Sequence, residues 1–193
     1  MQLSTDEKRI LLQAARKSIA NAFKGIFPEE IDYEAYPVMK TNAGAFVTLT
    51  EKGSLRGCIG YIFSDNFLYD TVCDAARRAA FKDPRFPSLQ EEELDNVEIE
   101  ISVLSPPFKM NSYDDITLGV HGLILEDYGR RALLLPQVPV EHNMDLEGYL
   151  CAICDKAGLP SDLWRERTLN MNLFTATVFS EEEETRRHDY AGD

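Results

Sequence analysis

Seven consecutive residues, Val97-Glu98-Ile99-Glu100-Ile101-Ser102-Val103, alternate strictly between apolar and polar. Successive side chains of a strand point to opposite faces. The run therefore reads as a half-buried strand, with Glu98, Glu100 and Ser102 sharing the outer face. Those three could line a cleft, and exposed sheet surface explains them equally well. Two further β-branched and aromatic runs lie upstream, Gly44 to Thr50 and Leu55 to Ile62, around a turn at Glu51-Lys52-Gly53-Ser54. Together they predict a β-hairpin. Beyond Pro106-Pro107, Ile116 to Val120, Leu123 to Glu126 and Ala132 to Leu135 read as short strands, separated by Gly122 and by Tyr128-Gly129-Arg130. A final strand is expected over Asn172 to Phe179.

Helices are interspersed among these strands. Ser4 and Glu7 fit a capping box, and Leu11, Ala15, Ile19, Ala22 and Ile26 follow at helical spacing, with Gly25 as the stop. Residues 27–42, with Pro28 and Pro37, read as an irregular connection tied down by Tyr33 and Tyr36. A second helix, about Leu68 to Lys82, carries Ala75, Ala76, Ala79 and Ala80 on one stripe, which suggests close packing on the sheet; Pro84 ends it. A third runs from about Asp145 to Ala157 and closes at Gly158 and Pro160. Hairpins outnumber βαβ units, so the expected class is α+β: a mainly antiparallel sheet flanked by helices. The residues from Glu181 to Asp193 read as an acidic tail that frays.

Composition narrows the function classes. Asp and Glu total 33 against 20 Lys and Arg, a formal charge of −13 over 193 residues. A surface that acidic disfavours nucleic acid and anionic membranes except at a local basic island. No apolar run approaches a membrane span, and no secretory leader is visible, so a cytoplasmic location is expected. The four cysteines read as reduced thiols. A P-loop, a dinucleotide glycine fingerprint, an HExxH and a GxSxG elbow are all missing, which disfavours nucleotide hydrolases, classical dehydrogenases, zinc proteases and α/β-hydrolases. No cofactor or metal site is expected.

Candidate chemistry concentrates in Leu55-Arg56-Gly57-Cys58-Ile59-Gly60. On a strand Arg56, Cys58 and Gly60 share a face, with Arg56 and Cys58 about 6.6 Å apart along it. A guanidinium within about 4–6 Å of the sulfur favours the thiolate, which could serve as nucleophile or ligand. The plain alternative is a small buried hydrophobe. Two glycines, Gly57 and Gly60, mark the close approach of a ligand or of another backbone. Arg77, Arg78, Lys82 and Arg85 against Asp83 form a cationic island near Asp83-Pro84-Arg85-Phe86, suited to a small anion, or else a solvated helix end. His121, flanked by Gly119 and Gly122, is the preferred acid/base candidate, with a backbone-bonded turn histidine as the alternative. His142 and His188 attract no role. Cys151 and Cys154 form a CxxC on the late helix; without a partner pair, core packing explains it better.

These stretches also carry a resemblance. Gly44-Ala45-Phe46-Val47-Thr48-Leu49, the hexamer 55–60, Asp83-Pro84-Arg85-Phe86, Ile101-Ser102-Val103-Leu104, His121-Gly122, Leu135-Pro136-Gln137-Val138 and Lys156-Ala157-Gly158-Leu159 resemble the signature of the AMMECR domain family, from about Ile10 to Phe179. Its prokaryotic branch is called AmmeMemoRadiSam system protein A. The resemblance implies one α+β domain over 1–193. It divides this into a larger lobe of about 1–105 plus 170–180, a smaller lobe of about 106–169, and a cleft between them holding the hexamer. It also implies Memo-type dioxygenase-like and radical SAM proteins as partners in a modification pathway, with nucleic-acid base modification among the proposals. One departure is at His142 and Met144, where relatives tend to place Trp. Three readings follow. A binding subunit would hold a small anion or a partner through Arg56, Gly57, Gly60 and Arg85. An enzyme would use Cys58 and His121. A purely structural domain is the third possibility.

Overall fold

The computed structural model describes residues 2–26 and 31–182. Its described chain divides into two compact units, one formed up to Leu104 and again from Thr177, the other from Ser105 to Ala176.

The first unit is a four-stranded sheet in the order β2-β1-β3-β8, from β1 (Ala45–Glu51), β2 (Ser54–Tyr61), β3 (Val97–Leu104) and β8 (Ala176–Ser180), with α1 (Thr5–Phe23) and α2 (Leu68–Phe81) packed against it. Strand β1 pairs antiparallel with both β2 and β3. The odd residues of β3 are buried, as the alternation requires, and join Val47, Leu49, Leu11, Ile19 and Val72 in one core. The capping box forms: Ser4 Oγ accepts from the Glu7 N–H at 3.3 Å, and Glu7 Oε2 accepts from the Ser4 N–H at 2.7 Å. The connection after α1 is pinned as expected where it is described. Tyr33 packs edge-on to Phe67 at 5.3 Å, and Tyr36 lies against the core. Pro28 lies outside the described residues.

The alanine stripe of α2 lets that helix approach the sheet backbone closely. A β-carbon added at Gly57 of β2 would stand 2.3 Å from the Ala79 carbonyl oxygen of α2. Only glycine fits there, because any side chain would have to displace helix backbone.

The second unit is a four-stranded sheet in the order β4-β7-β5-β6, from β4 (Phe108–Lys109), β5 (Gly122–Asp127), β6 (Arg130–Leu134) and β7 (Met171–Phe174), all recorded pairs antiparallel. The short α3 (Val138–Glu141) and α5 (Leu163–Glu166) accompany α4 (Leu146–Ala157), which packs on β5 and β6. Asp145 caps α4 by accepting from the Gly148 N–H at 2.8 Å, and Gly158 ends it in the left-handed region at φ +69°. Leu123, Leu125, Tyr149, Ile153 and Cys154 form the core of this unit.

The architecture is α+β, with two antiparallel sheets rather than one. Three local expectations need correction. Residues 116–120 are not a strand: Ser112 caps a 3-10 turn at Tyr113–Asp115, and the chain then turns through Gly119 at φ +76°. The last strand is two, because Thr175 breaks the run and sends β7 and β8 into different sheets. The acidic segment does not fray at its start. Glu181 takes both Nε and Nη2 of Arg16 at 2.6 Å and accepts from the Ile99 N–H at 3.0 Å. Residues 183–193, His188 among them, lie outside the described residues. No helix among the described residues is long and apolar enough to cross a membrane.

The approach of α2 to β2 can be measured directly. Gly57→Ala should lower unfolding free energy by about 3 kcal/mol or more through overpacking. Gly129→Ala serves as the comparison: at φ +69°, nothing lies within 4 Å of the added carbon. It should cost only about 1–2 kcal/mol of backbone strain. Urea unfolding of the two variants checks the order.

Candidate functional site

Strand β2 is a sheet edge, so half of its backbone groups have no strand beside them. Register shows which half. The Gly44 carbonyl accepts from the Leu104 N–H at 2.9 Å, so even residues of β1 turn their backbone toward β3. Cys58 faces Thr48, and Gly60 faces Phe46. The N–H and C=O of Cys58 therefore point off the open edge.

Asp83 and Arg85 meet them there. Asp83 Oδ2 accepts from the Cys58 N–H at 2.9 Å, and Arg85 Nη2 donates to the Cys58 carbonyl at 3.2 Å. A carboxylate and a guanidinium thus take the places that a neighbouring strand's C=O and N–H would fill, which also guards the edge. The pair is locked: Arg85 Nε reaches Asp83 Oδ1 at 2.9 Å, Nη2 reaches Oδ2 at 2.6 Å, and the Arg85 N–H reaches Oδ1 at 3.1 Å. The Asp83 side chain is 1% exposed and that of Arg85 54%. The Arg85 guanidinium, helped by the Cys58 and Arg85 N–H groups, holds the Asp83 carboxyl well below the usual carboxylate range despite its burial.

Arg56 is engaged in the same manner. Its Nε and Nη2 each lie 3.0 Å from a carboxylate oxygen of Glu93, and Nη1 donates to the Pro87 carbonyl at 2.9 Å. Glu93 in turn caps the 3-10 turn at Glu91–Asn96 by accepting from the Gln90 N–H at 2.7 Å. Both arginines are thus paired with internal carboxylates, and the segment 83–93 is stitched along β2. Two more arginines of the basic island are tied down as well. Arg77 reaches Ser18 at 3.0 Å and Asp74 at 3.4 Å, and Arg78 reaches Asp74 at 2.8 Å. The Tyr61 hydroxyl donates to the same carboxylate.

Cys58 is half-buried on the sheet face opposite Gly57, and the Thr48 hydroxyl donates to its Sγ at 3.3 Å. Across the face run the rows Cys58–Thr48–Glu100 and Gly60–Phe46–Ser102. The two glycines admit this chain's own atoms: Gly57 the Ala79 carbonyl, Gly60 the Ala45 carbonyl and the Phe46 ring. Cys73 is buried in the first core, its thiol pushed up to about 12 by desolvation. His121 belongs to the second unit. There its Nδ1 accepts from the Thr117 N–H at 3.1 Å, and its ring packs edge-on to Phe108 at 5.6 Å. This is the backbone-bonded turn histidine. Cys154 lies in the second core, and Cys151 receives the Trp164 Nε1 hydrogen bond at 3.4 Å. Among the described residues no group of three or more His, Cys, Asp or Glu is placed to hold a metal ion.

Arg56, Cys58 and Arg85, singled out from sequence, are brought together on one edge. Asp83, Glu93 and Thr48, which complete that arrangement, were not singled out. Asp83 had a local signal, since an Asp two residues before an N–H in Asp-Pro-Arg is an Asx-turn pattern. Glu93 had none pointing to Arg56, which is 37 residues distant.

The AMMECR1 family matches residues 12–179 of this chain. A protein of Methanothermobacter thermautotrophicus is 42% identical over 186 residues, covering 93% of this chain and 97% of the relative. Protein Mbar_A1807 of Methanosarcina barkeri is 40% identical over 189 residues, 94% and 93% of the two chains. The crystal structure of the uncharacterised protein PH0010 from Pyrococcus horikoshii superposes with a TM-score of 0.81 at 38% identity, covering 90% of each chain.

The buried carboxylate gives a pH signature. Asp83 has a folded pKa below its unfolded value of about 3.9, so its stabilisation is complete above that pH and is lost as pH falls toward the folded value. Asp83→Ala leaves the Cys58 N–H and Arg85 without their acceptor. It should cost about 1–3 kcal/mol at neutral pH, toward the lower end because Arg85 is solvent-screened. The deficit relative to wild type should narrow below about pH 4. Urea midpoints across that range measure both.

Proposed function

The chain belongs to the AMMECR1 family, whose members are of uncharacterised function, and on that footing we propose that it is a binding subunit whose recognition surface is the β2 edge around Cys58. The observation that carries this reading is the double pairing of Arg56 with Glu93 and of Arg85 with Asp83. A guanidinium already bidentate on a carboxylate presents no net charge to a small dianion. It can still offer N–H donors. Arg85 keeps Nη1 without a hydrogen bond among the described residues, on a side chain 54% exposed, with its guanidinium carbon 5.5 Å from the Phe86 ring centroid. That donor is held rigidly by Asp83, so it suits a carbonyl or carboxylate oxygen of a partner or ligand.

The nucleophile reading has less behind it. A catalytic cysteine is activated by an adjacent base or by an uncompensated neighbouring cation; here Sγ is bonded by the Thr48 hydroxyl, which is no base at neutral pH, and Arg56 and Arg85 are each paired with a carboxylate. The partners that the family resemblance brings, a Memo-type dioxygenase-like protein and a radical SAM protein, are the first to try, in a cytoplasmic modification pathway.

Sedimentation of the full chain with each of those two proteins tests the proposal. The expected result is a complex that Arg85→Gln weakens about tenfold, the loss of one charge-assisted hydrogen bond, and that Cys58→Ala leaves intact. Turnover with a covalent intermediate trapped on Cys58 by mass spectrometry would overturn it in favour of the enzyme.

A further inference from the structure

The hairpin joining β5 and β6 carries a feature that the Cys58 edge does not use. Its two-residue turn is Tyr128-Gly129, with φ +49° and +69°. Such turns favour Asn-Gly, because both positions sit in the left-handed region. A tyrosine there is strained, and the residue is left 65% exposed at the tip. The ring is nevertheless held in place: the Arg167 guanidinium stacks on it at 4.7 Å, and Arg167 is fixed in turn by Asp127 at 2.9 Å. Asp127 also accepts from the Asn170 N–H at 2.9 Å and the Tyr128 N–H at 2.9 Å.

Around this ring lies a depression of about 450 Å³, lined by Glu126, Asp127, Tyr128, Arg130, Arg131 and Asn170 with Gly129. That volume falls in the range of small-molecule sites, about 300–1,000 Å³. Both carboxylates in it are neutralised, Glu126 by Arg131 at 2.6 Å and Asp127 by Arg167. The side chain of Arg130 has no ion pair or hydrogen bond among the described residues. In a chain with 33 acids against 20 bases, an uncompensated guanidinium beside an immobilised aromatic ring is a specific combination.

We propose that this depression is a binding site for a planar ring bearing an anionic group, phosphate or carboxylate. The ring stacks on the face of Tyr128 that Arg167 leaves open, and the anion is taken by Arg130 as a charge-assisted, two-pronged contact. This site is independent of the Cys58 edge, and either can fail alone.

Amide NMR titration of the full chain with adenosine monophosphate, adenosine and inorganic phosphate tests it. Adenosine monophosphate should shift the amides of Gly129, Arg130 and Arg131. Adenosine and phosphate should each bind more weakly by about tenfold or more. Tyr128→Asn is the informative variant, since asparagine suits the turn and removes only the ring; Arg130→Gln removes only the charge. Each should weaken adenosine monophosphate binding by about tenfold. Phosphate binding as tightly as the nucleotide overturns the ring contact, and adenosine doing so overturns the anion contact. Absent shifts at the hairpin, or shifts that neither variant alters, overturn the site.

Discussion

The contact between Gly57 and the Ala79 carbonyl governs the first unit. Backbone meets backbone there, with no side chain between helix and strand. The alanines of α2 make the approach possible from one side and the bare α-carbon from the other. Because α2 ends two residues later at Phe81, its exit is set at the edge of β2, and Asp83 arrives at the Cys58 N–H. The Leu89 N–H then returns to the Ala80 carbonyl at 2.8 Å, which holds the segment after Pro87 beside the same helix end. One close approach therefore places both residues that complete the strand edge.

Charge is handled locally in this protein. Each arginine beside Cys58 has its charge neutralised by a carboxylate drawn from a nearby turn. The result is a surface of fixed, paired dipoles in place of a cationic pocket. Rigid neutral pairs recognise by geometry, whereas a free guanidinium recognises by field. The protein holds both kinds of arginine, the paired Arg85 on the β2 edge and Arg130, unpaired among the described residues, on the β5–β6 hairpin.

Much of the fold was legible because its signals are local. The Ser4–Glu7 capping box, the 97–103 alternation, the alanine stripe and the Gly158 stop each act within a turn or two, and each element formed where its signal lay. The errors have equally specific causes. Residues 116–120 are β-branched and apolar in part, yet the Ser112 cap and Gly119 turn the backbone before a ladder can form. Thr175 sits inside an apolar run that gave no hint of a break. Two ladders, β7 with β5 and β8 with β3, divide that run between them, and ladders depend on partners far along the chain.

The candidate site divides along the same line. By itself the sequence determined that Arg56 and Cys58 share a strand face, that Gly57 and Gly60 admit close neighbours, and that Pro84 ends the second helix. These follow from strand periodicity and from proline and glycine stereochemistry, which operate over a few residues. Only the tertiary structure decided that the close neighbours are the chain's own helix and strand, that Arg56 belongs to Glu93, and that Asp83 closes an open sheet edge. Each of those outcomes depends on which elements lie side by side, and that is set by the burial of whole faces against one another, a quantity no short window of residues contains.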